Sequence, residues 1–264
     1  MERSKPKRVK SVEPVRASFG GKIKRRNWVI LKQEKSQSIL DFVYGRKPWD
    51  SNYLNKLNRF LKGNPMKKRV AIDVGACYGF VSKYLSERYD EVKSFEIVTP
   101  VRDCLIENVK RFENDNVEVF PYGLGEKEGE IDIYFTPSWT GHSSHYRNLD
   151  IMAGSGKYES VLKCQIRTLD SFEFDVVDYI KIDVEGLELQ VLRGAIETIK
   201  RCRPVITTEI NADNPESARR SVEIISMLEG LGYEYLRTIG SDFIWSPKEY
   251  GYTYGKTNQT EEAE

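Results

Sequence analysis

Residues 69–80 read RVAIDVGACYGF, and residues 178–195 read DYIKIDVEGLELQVLRGA. Each begins as a short apolar run, closes on an acid and a glycine, and then passes into helical spacing. Residues 69–75 are too few for a helix and apolar enough for a strand buried on both faces. Apolar residues at 80/81, 84/85 and 89 then keep to one helix face. The second stretch repeats the pattern, with a strand at 178–184 and a helix at 187–200 whose positions 187, 191, 192, 195, 196 and 199 share one side.

The alternation continues on either side of these two stretches. Residues 92–97, 117–122 and 204–210 read as further buried strands. Thr99-Pro100 reads as an N-cap followed by Pro at the first helical position, and Val101, Cys104, Leu105, Val109 and Phe112 line one face of the helix after it. Residues 130–135 alternate after a Glu-Gly turn, as an added antiparallel strand does, and 161–168 alternate again. Asn214-Pro215 opens a helix reaching Gly230, and strands follow near 233–239 and 242–245. Strand–helix repetition of this kind predicts an α/β fold, a doubly wound, mostly parallel sheet with helices on both faces. Upstream, a strand at 28–32 and a helix at 50–62 form a cap ahead of it.

The chain has 264 residues, 39% hydrophobic and 31% charged, with a net charge of +1. That suits a soluble globular protein of one large or two small domains. The longest uninterrupted hydrophobic run is four residues, 28–31. A membrane-spanning helix needs about 20 and a signal peptide about 7–15, so neither is expected. Cys77, Cys104, Cys164 and Cys202 form no C-x-x-C pair, which argues against a disulfide framework or zinc ribbon and for a cytoplasmic location. The near-neutral total hides an asymmetry: residues 1–35 carry +9 and the remainder −8. A basic arm of this kind can hold nucleic acid or an anionic membrane surface. Only Phe19 among its residues before Trp28 is aromatic, so base stacking is not suggested and a solvated, flexible arm is favoured.

In open α/β sheets, ligands bind at the carboxyl ends of the strands. The first strand ends in Asp73-Val-Gly75-Ala76-Cys77-Tyr78-Gly79. Its glycines permit a sharp turn and, at Gly75, leave room that a side chain would take from a ligand. The G-x-x-x-G spacing is not the dinucleotide fingerprint. Glu96 ends the second strand, 23 residues after Asp73, an offset at which an acid accepts hydrogen bonds from two ribose hydroxyls. Lys181, Asp183 and Glu185 share one side of another strand's carboxyl end, and Glu209 ends the next. Clustered carboxylates repel unless a cation, a proton or a metal compensates. The only histidines, His142 and His145, lie in the turn-rich stretch 136–159, either as surface residues or as a base in a lid. The Tyr-x-x-x-Lys pairs of a nicotinamide reductase occur at Tyr89–Lys93 and Tyr252–Lys256, the first across a helix end and the second in the tail. The N-P-P-Y/F and Pro-Cys strings of DNA base methyltransferases are absent.

The chain resembles the FkbM family of S-adenosylmethionine-dependent methyltransferases. The matching segments are DVGACYGF (73–80), FEIVTPVRDCLIENV (95–109), YGLGEKEG (122–129), TLDSF (168–172), DYIKIDVEGLELQVLRGA (178–195) and RPVITTEI (203–210). The family's Glu-Pro after the second strand is here Glu96-Ile97, with Pro100 further on. The resemblance implies a class I, Rossmann-like methyltransferase fold of seven strands whose last pair is antiparallel. It sets the methyltransferase domain at 69–248, after a basic arm (1–27) and cap elements (28–68) and before a C-terminal tail (249–264). It implies that Asp73, Gly75, Ala76, Cys77, Tyr78 and Gly79 hold the methionine end of S-adenosylmethionine and that Glu96 takes the ribose. Tyr122, Gly123 and Leu124 would lie near the adenine. The acceptor it implies is a hydroxyl of a sugar, glycan or related metabolite. A hydroxyl needs a base to become a good nucleophile. Asp183 is the first candidate, then Glu185, Glu209 and His142; a divalent metal on the acids would serve equally. Two alternatives stay open: an RNA 2′-hydroxyl methyltransferase using the arm and Lys181 with Asp183, and a non-catalytic S-adenosylmethionine-binding module.

Overall fold

In a computed structural model of the chain, residues 14–18, 27–31, 35–43, 51–135, 140, 160–239 and 242–252 are described, for 14–18, 27 and 51–55 by backbone alone. β1 (Pro14–Ser18) pairs antiparallel with β2 (Asn27–Leu31), so the expected flexible arm contributes a strand. α1 (Gln37–Val43) and α2 (Ser51–Gly63) follow. The alternating stretch then gives β3 (Val70–Val74), α3 (Phe80–Ser86), β4 (Glu91–Phe95), α4 (Thr99–Arg111) and β5 (Val117–Phe120). β6 (Gly123–Leu124), β7 (Gly129–Phe135) and β8 (Ser160–Arg167) come next. The chain continues through β9 (Tyr179–Ile182), α5 (Glu188–Arg193), α6 (Ile196–Cys202), β10 (Val205–Glu209), α7 (Pro215–Gly230), β11 (Tyr233–Ile239) and β12 (Asp242–Pro247).

The main sheet has seven strands in the order β11-β12-β10-β9-β3-β4-β5. β10, β9, β3, β4 and β5 run parallel to one another, whereas β12 runs antiparallel to both β10 and β11. This is the expected mostly parallel sheet with an antiparallel last pair. Because side chains alternate along a strand, each strand feeds two cores. Ile72, Val74, Ile180, Ile182 and Ile206 pack with Leu192, Ile199, Ile224 and Leu228 of α5, α6 and α7. Ala71, Val92, Tyr179 and Val205 pack with Leu57, Phe60 and Leu61 of α2 and with Val81 and Leu85 of α3. Helices therefore cover both faces. Among the described residues, no helix is long and apolar enough to cross a membrane.

Three local readings change. Residues 130–135 and 161–168 do not extend the main sheet; β7 and β8 pair with each other and, through β8, with β6 in a separate three-stranded sheet. The helix cap before Pro100 is Val98, with Thr99 already in the first turn. The single helix expected over 187–200 is broken into α5 and α6 at Gly194-Ala195. Two contacts mark the break. A Cβ on Gly194 would overlap the carbonyl oxygen of Gly125, so the chain can pass there only as glycine. The restart is then capped from a distance: the Asp170 carboxylate accepts the N–H groups of Glu197 (3.0 Å) and Thr198 (2.7 Å), two of the orphan donors at the start of α6.

Gly194→Ala should lower stability by roughly 1–3 kcal/mol, the usual cost of overpacking. A urea midpoint equal to wild type would show that the Gly125–Gly194 approach relaxes freely.

Candidate active site

The turn after β3 is built from main-chain contacts. The N–H groups of Gly75 and Ala76 both donate to the Phe95 carbonyl at 3.0 Å, which ties the turn to the end of β4. Gly75 (φ +79°), Cys77 (φ +49°) and Gly79 (φ +87°) all lie in the left-handed region. The need for glycine at 75 differs from the expected one. A Cβ there would overlap the carbonyl oxygen of Asp183, the protein's own backbone, before it met any ligand. Gly75 is thus the point where the ends of β3 and β9 touch.

Glu96, just past β4, is buried, and its two oxygens each accept a main-chain N–H, from Cys77 and from Val98, both at 2.8 Å. It therefore clamps the turn to the start of α4. Burial raises its pKa to about 7, against the lowering effect of those two N–H groups.

The acids around β9 are sorted by their surroundings. Asp73 and Lys181 are direct neighbours across β3 and β9, and both are buried. Asp73 accepts the Ser82 hydroxyl at 2.6 Å, while Ser82 also contacts Ser94 at 2.8 Å. Its other oxygen is buried without a hydrogen-bond partner, and burial raises its pKa against the pull of Lys181. Burial works against the charge on Lys181, but Asp183, Asp73 and Asp242 more than offset this and hold it charged. Its Nζ pairs with Asp183 Oδ2 at 2.7 Å, and the Asp183 side chain stays 43% exposed while that of Lys181 is 5% exposed. Glu185 sits at φ +53°, and burial followed by the charges of Asp183, Glu209 and Glu188 pushes its carboxyl well up, favouring the proton-bearing form. Glu188 is buried and accepts the N–H groups of Val184 (3.2 Å) and Gly186 (3.0 Å); burial raises it to about 7.

A cavity of about 300 Å³ opens at these strand ends. Gly75, Cys77, Glu96, Tyr122, Gly123, Leu124, Asp183 and Glu185 all line it, so the sequence-predicted residues converge. Asp73, Ala76, Tyr78 and Gly79 do not line it and build the turn from behind; Glu209 is likewise absent from its wall. His142 and His145 lie outside the described residues. The wall also holds Ser36, Ser38 and Ile39 from the start of α1 and Ile131, Ile133 and Ile166 from β7 and β8, which sequence reading missed. Alternation of the isoleucines in 130–135 marked a strand but gave no sign of which surface it faced. Among the described residues, the wall holds three acids, Glu96, Asp183 and Glu185, and no Lys or Arg. No group of three or more His, Cys, Asp or Glu among the described residues is arranged to hold a metal ion.

The Methyltransferase FkbM domain matches residues 73–235. The chain is 24% identical over 210 residues to methyltransferase sdnD of Sordaria araneosa, covering 68% of this chain and 78% of that one. Among solved structures it is similar to methyltransferase FkbM from Methylobacillus flagellatus, at 15% identity and a TM-score of 0.49. That match covers 79% of this chain and 52% of the other, so the chain spans about half of that protein. It is also similar to the O-methyltransferase from Bacillus cereus in complex with SAH, at 18% identity and a TM-score of 0.43, covering 75% and 80% of the two chains.

The raised pKa of Glu188 has a signed consequence. Its folded value of about 7 lies above the ordinary 4.5, so the folded state binds the extra proton and this group's contribution to stability falls as pH rises between those values. Glu188→Gln keeps an acceptor for the two N–H groups and removes the charge. It should gain roughly 1–3 kcal/mol over wild type at pH 8, with the gain vanishing below about pH 4.5. Denaturation curves across that range check this, and a gain independent of pH would remove burial of the charge as its cause.

Proposed function

The chain belongs to the FkbM methyltransferase family, and from that premise we propose that it moves a methyl group from S-adenosylmethionine to a hydroxyl of a sugar, glycan or related metabolite in the cytoplasm. The convergence of Gly75, Glu96, Tyr122 and Asp183 on one cavity supports this reading best. The lining suits the cofactor: Asp183 stands exposed at the cavity, and no described Lys or Arg lines it to oppose a ligand bearing a sulfonium and an ammonium. Ile97, Val101 and Leu124 offer apolar surface for an adenine. When bound, this cofactor supplies a methyl group on a positively charged sulfur.

The residues of the chain divide the remaining work. Each Glu96 oxygen has a second lone pair beyond the one used by Cys77 or Val98, and these accept the ribose hydroxyls. Asp183 is the base. Lys181 fixes one of its oxygens, leaving the other free of that ion pair to accept the acceptor's hydroxyl proton. Glu185 lines the same end of the cavity, where burial and the neighbouring acids push its carboxyl up. Holding the acceptor oxygen in line with the methyl carbon contributes the larger share of the rate. An RNA 2′-hydroxyl reading is weaker, because Lys181 is buried and does not line the cavity, so its lysine would not reach the reacting atoms.

Calorimetry should show S-adenosylmethionine binding that Glu96→Ala weakens by about 1.5–3 kcal/mol, the worth of hydrogen bonds to a charged group. Because Glu96 loses its proton near pH 7, wild-type affinity should rise between about pH 6 and 8, and Glu96→Gln should flatten that rise. Wild-type affinity in the Ala variant overturns the assignment.

With a panel of hydroxyl acceptors read by mass for one added methylene, Asp183→Asn should cut turnover by about 10²–10⁴-fold while cofactor affinity holds. Loss of wild-type turnover in a chelator, restored by Mg²⁺, would transfer the role to a metal. Near-normal turnover in the Asn variant would pass the test to His142 and His145.

A further inference from the structure

β2 lies ahead of the segment shared with the family, which begins at residue 73. β1 occupies one edge of it. A strand edge left bare presents unpaired N–H and C=O groups, and here the second edge is met by two side chains. The Asn108 carboxamide on α4, which is 1% exposed, accepts the Val29 N–H at 2.6 Å and donates to the Val29 carbonyl at 2.9 Å. A carboxamide carries the same donor and acceptor as a peptide group, so Asn108 pairs with Val29 as a neighbouring strand would. Its second amide hydrogen goes to the carbonyl of Tyr78 at 2.9 Å, inside the turn after β3. Two residues along β2, the Leu31 N–H donates to the Tyr78 hydroxyl at 3.3 Å. Trp28 packs on Phe80 and Phe112, with ring centroids 4.6 and 4.5 Å apart. Beyond β2, Ser36, Ser38 and Ile39 form part of the cavity wall.

We infer that Asn108 is a positioning residue for cofactor binding, which locks β2 and the cavity wall that follows it to the turn at Tyr78. This rests on the cofactor reading above. Asn108 does not line the cavity; it acts by fixing two main-chain segments relative to one another. Its energetic effect must run both ways, because coupling between two sites is reciprocal. A bound cofactor that orders the turn should therefore also hold β2 more firmly.

Calorimetry with S-adenosylmethionine separates the outcomes. No heat with wild type would mean that the cofactor reading itself has failed. If wild type binds, Asn108→Ala should raise Kd by roughly 3–30-fold at unchanged stoichiometry, the range for residues that couple sites without touching ligand. A merely structural residue would instead lower the stoichiometry and leave Kd alone, and that result overturns the inference. Tyr78→Phe keeps the ring, loses the link to Leu31, and should raise Kd by a smaller factor. If Asn108→Ala does not fold, amide hydrogen exchange on wild type decides. Saturating S-adenosylmethionine should slow exchange at Val29 and Leu31, and unchanged rates at both would overturn the coupling.

Discussion

The carboxyl ends of β3 and β9 approach so closely that only a residue without a Cβ can turn between them. Gly75 meets the Asp183 carbonyl at that point, and the geometry of the cavity follows from it. The approach puts the glycine turn, which faces β4 and Glu96, against the acid-bearing end of β9. It also fixes the register in which Asp73 stands beside Lys181. A glycine that the sequence suggests for ligand access is therefore first a joint in the protein, and the site inherits its precision from strand pairing.

Charge is then arranged around that joint in layers. Deepest is the Lys181 ammonium, held in its charged form despite burial by the carboxylates of Asp183, Asp73 and Asp242. Buried charges of one sign are tolerable only when paired, so the cation and its anions stand or fall together. At the cavity, Asp183 faces solvent with one oxygen engaged, whereas Glu185 and Glu96 are pushed toward their neutral forms, chiefly by burial. Acids gathered at one strand end thus meet different surroundings, Asp183 paired with a lysine and open to solvent, Glu185 crowded by other acids.

The legible part of this molecule was the part governed by period and punctuation. Buried strands such as 70–74 and 179–182 declare themselves as apolar runs closed by glycine, and the acids at their ends are visible because strand ends are where ligands bind. What stayed hidden depends on distant partners. Nothing near Gly194 signals that Gly125 will press on it, or that Asp170 will cap the helix restarting at Ile196. Asp73 and Tyr78 sit within the turn motif, and that both side chains are buried in the protein's interior follows from strand pairing and the turn's path, which the letters do not show. Asn108 reads as one polar residue on an amphipathic helix. Its burial becomes intelligible only once β2 lies against it.

The Asn108–Val29 pairing carries an evolutionary consequence. It reads main-chain atoms of β2, which every residue except proline presents alike. The N-terminal strand can therefore drift in sequence, provided that it keeps its bulk and avoids proline at position 29, without losing its place against the domain. Shared ancestry in such a segment would fade from the letters long before it faded from the shape.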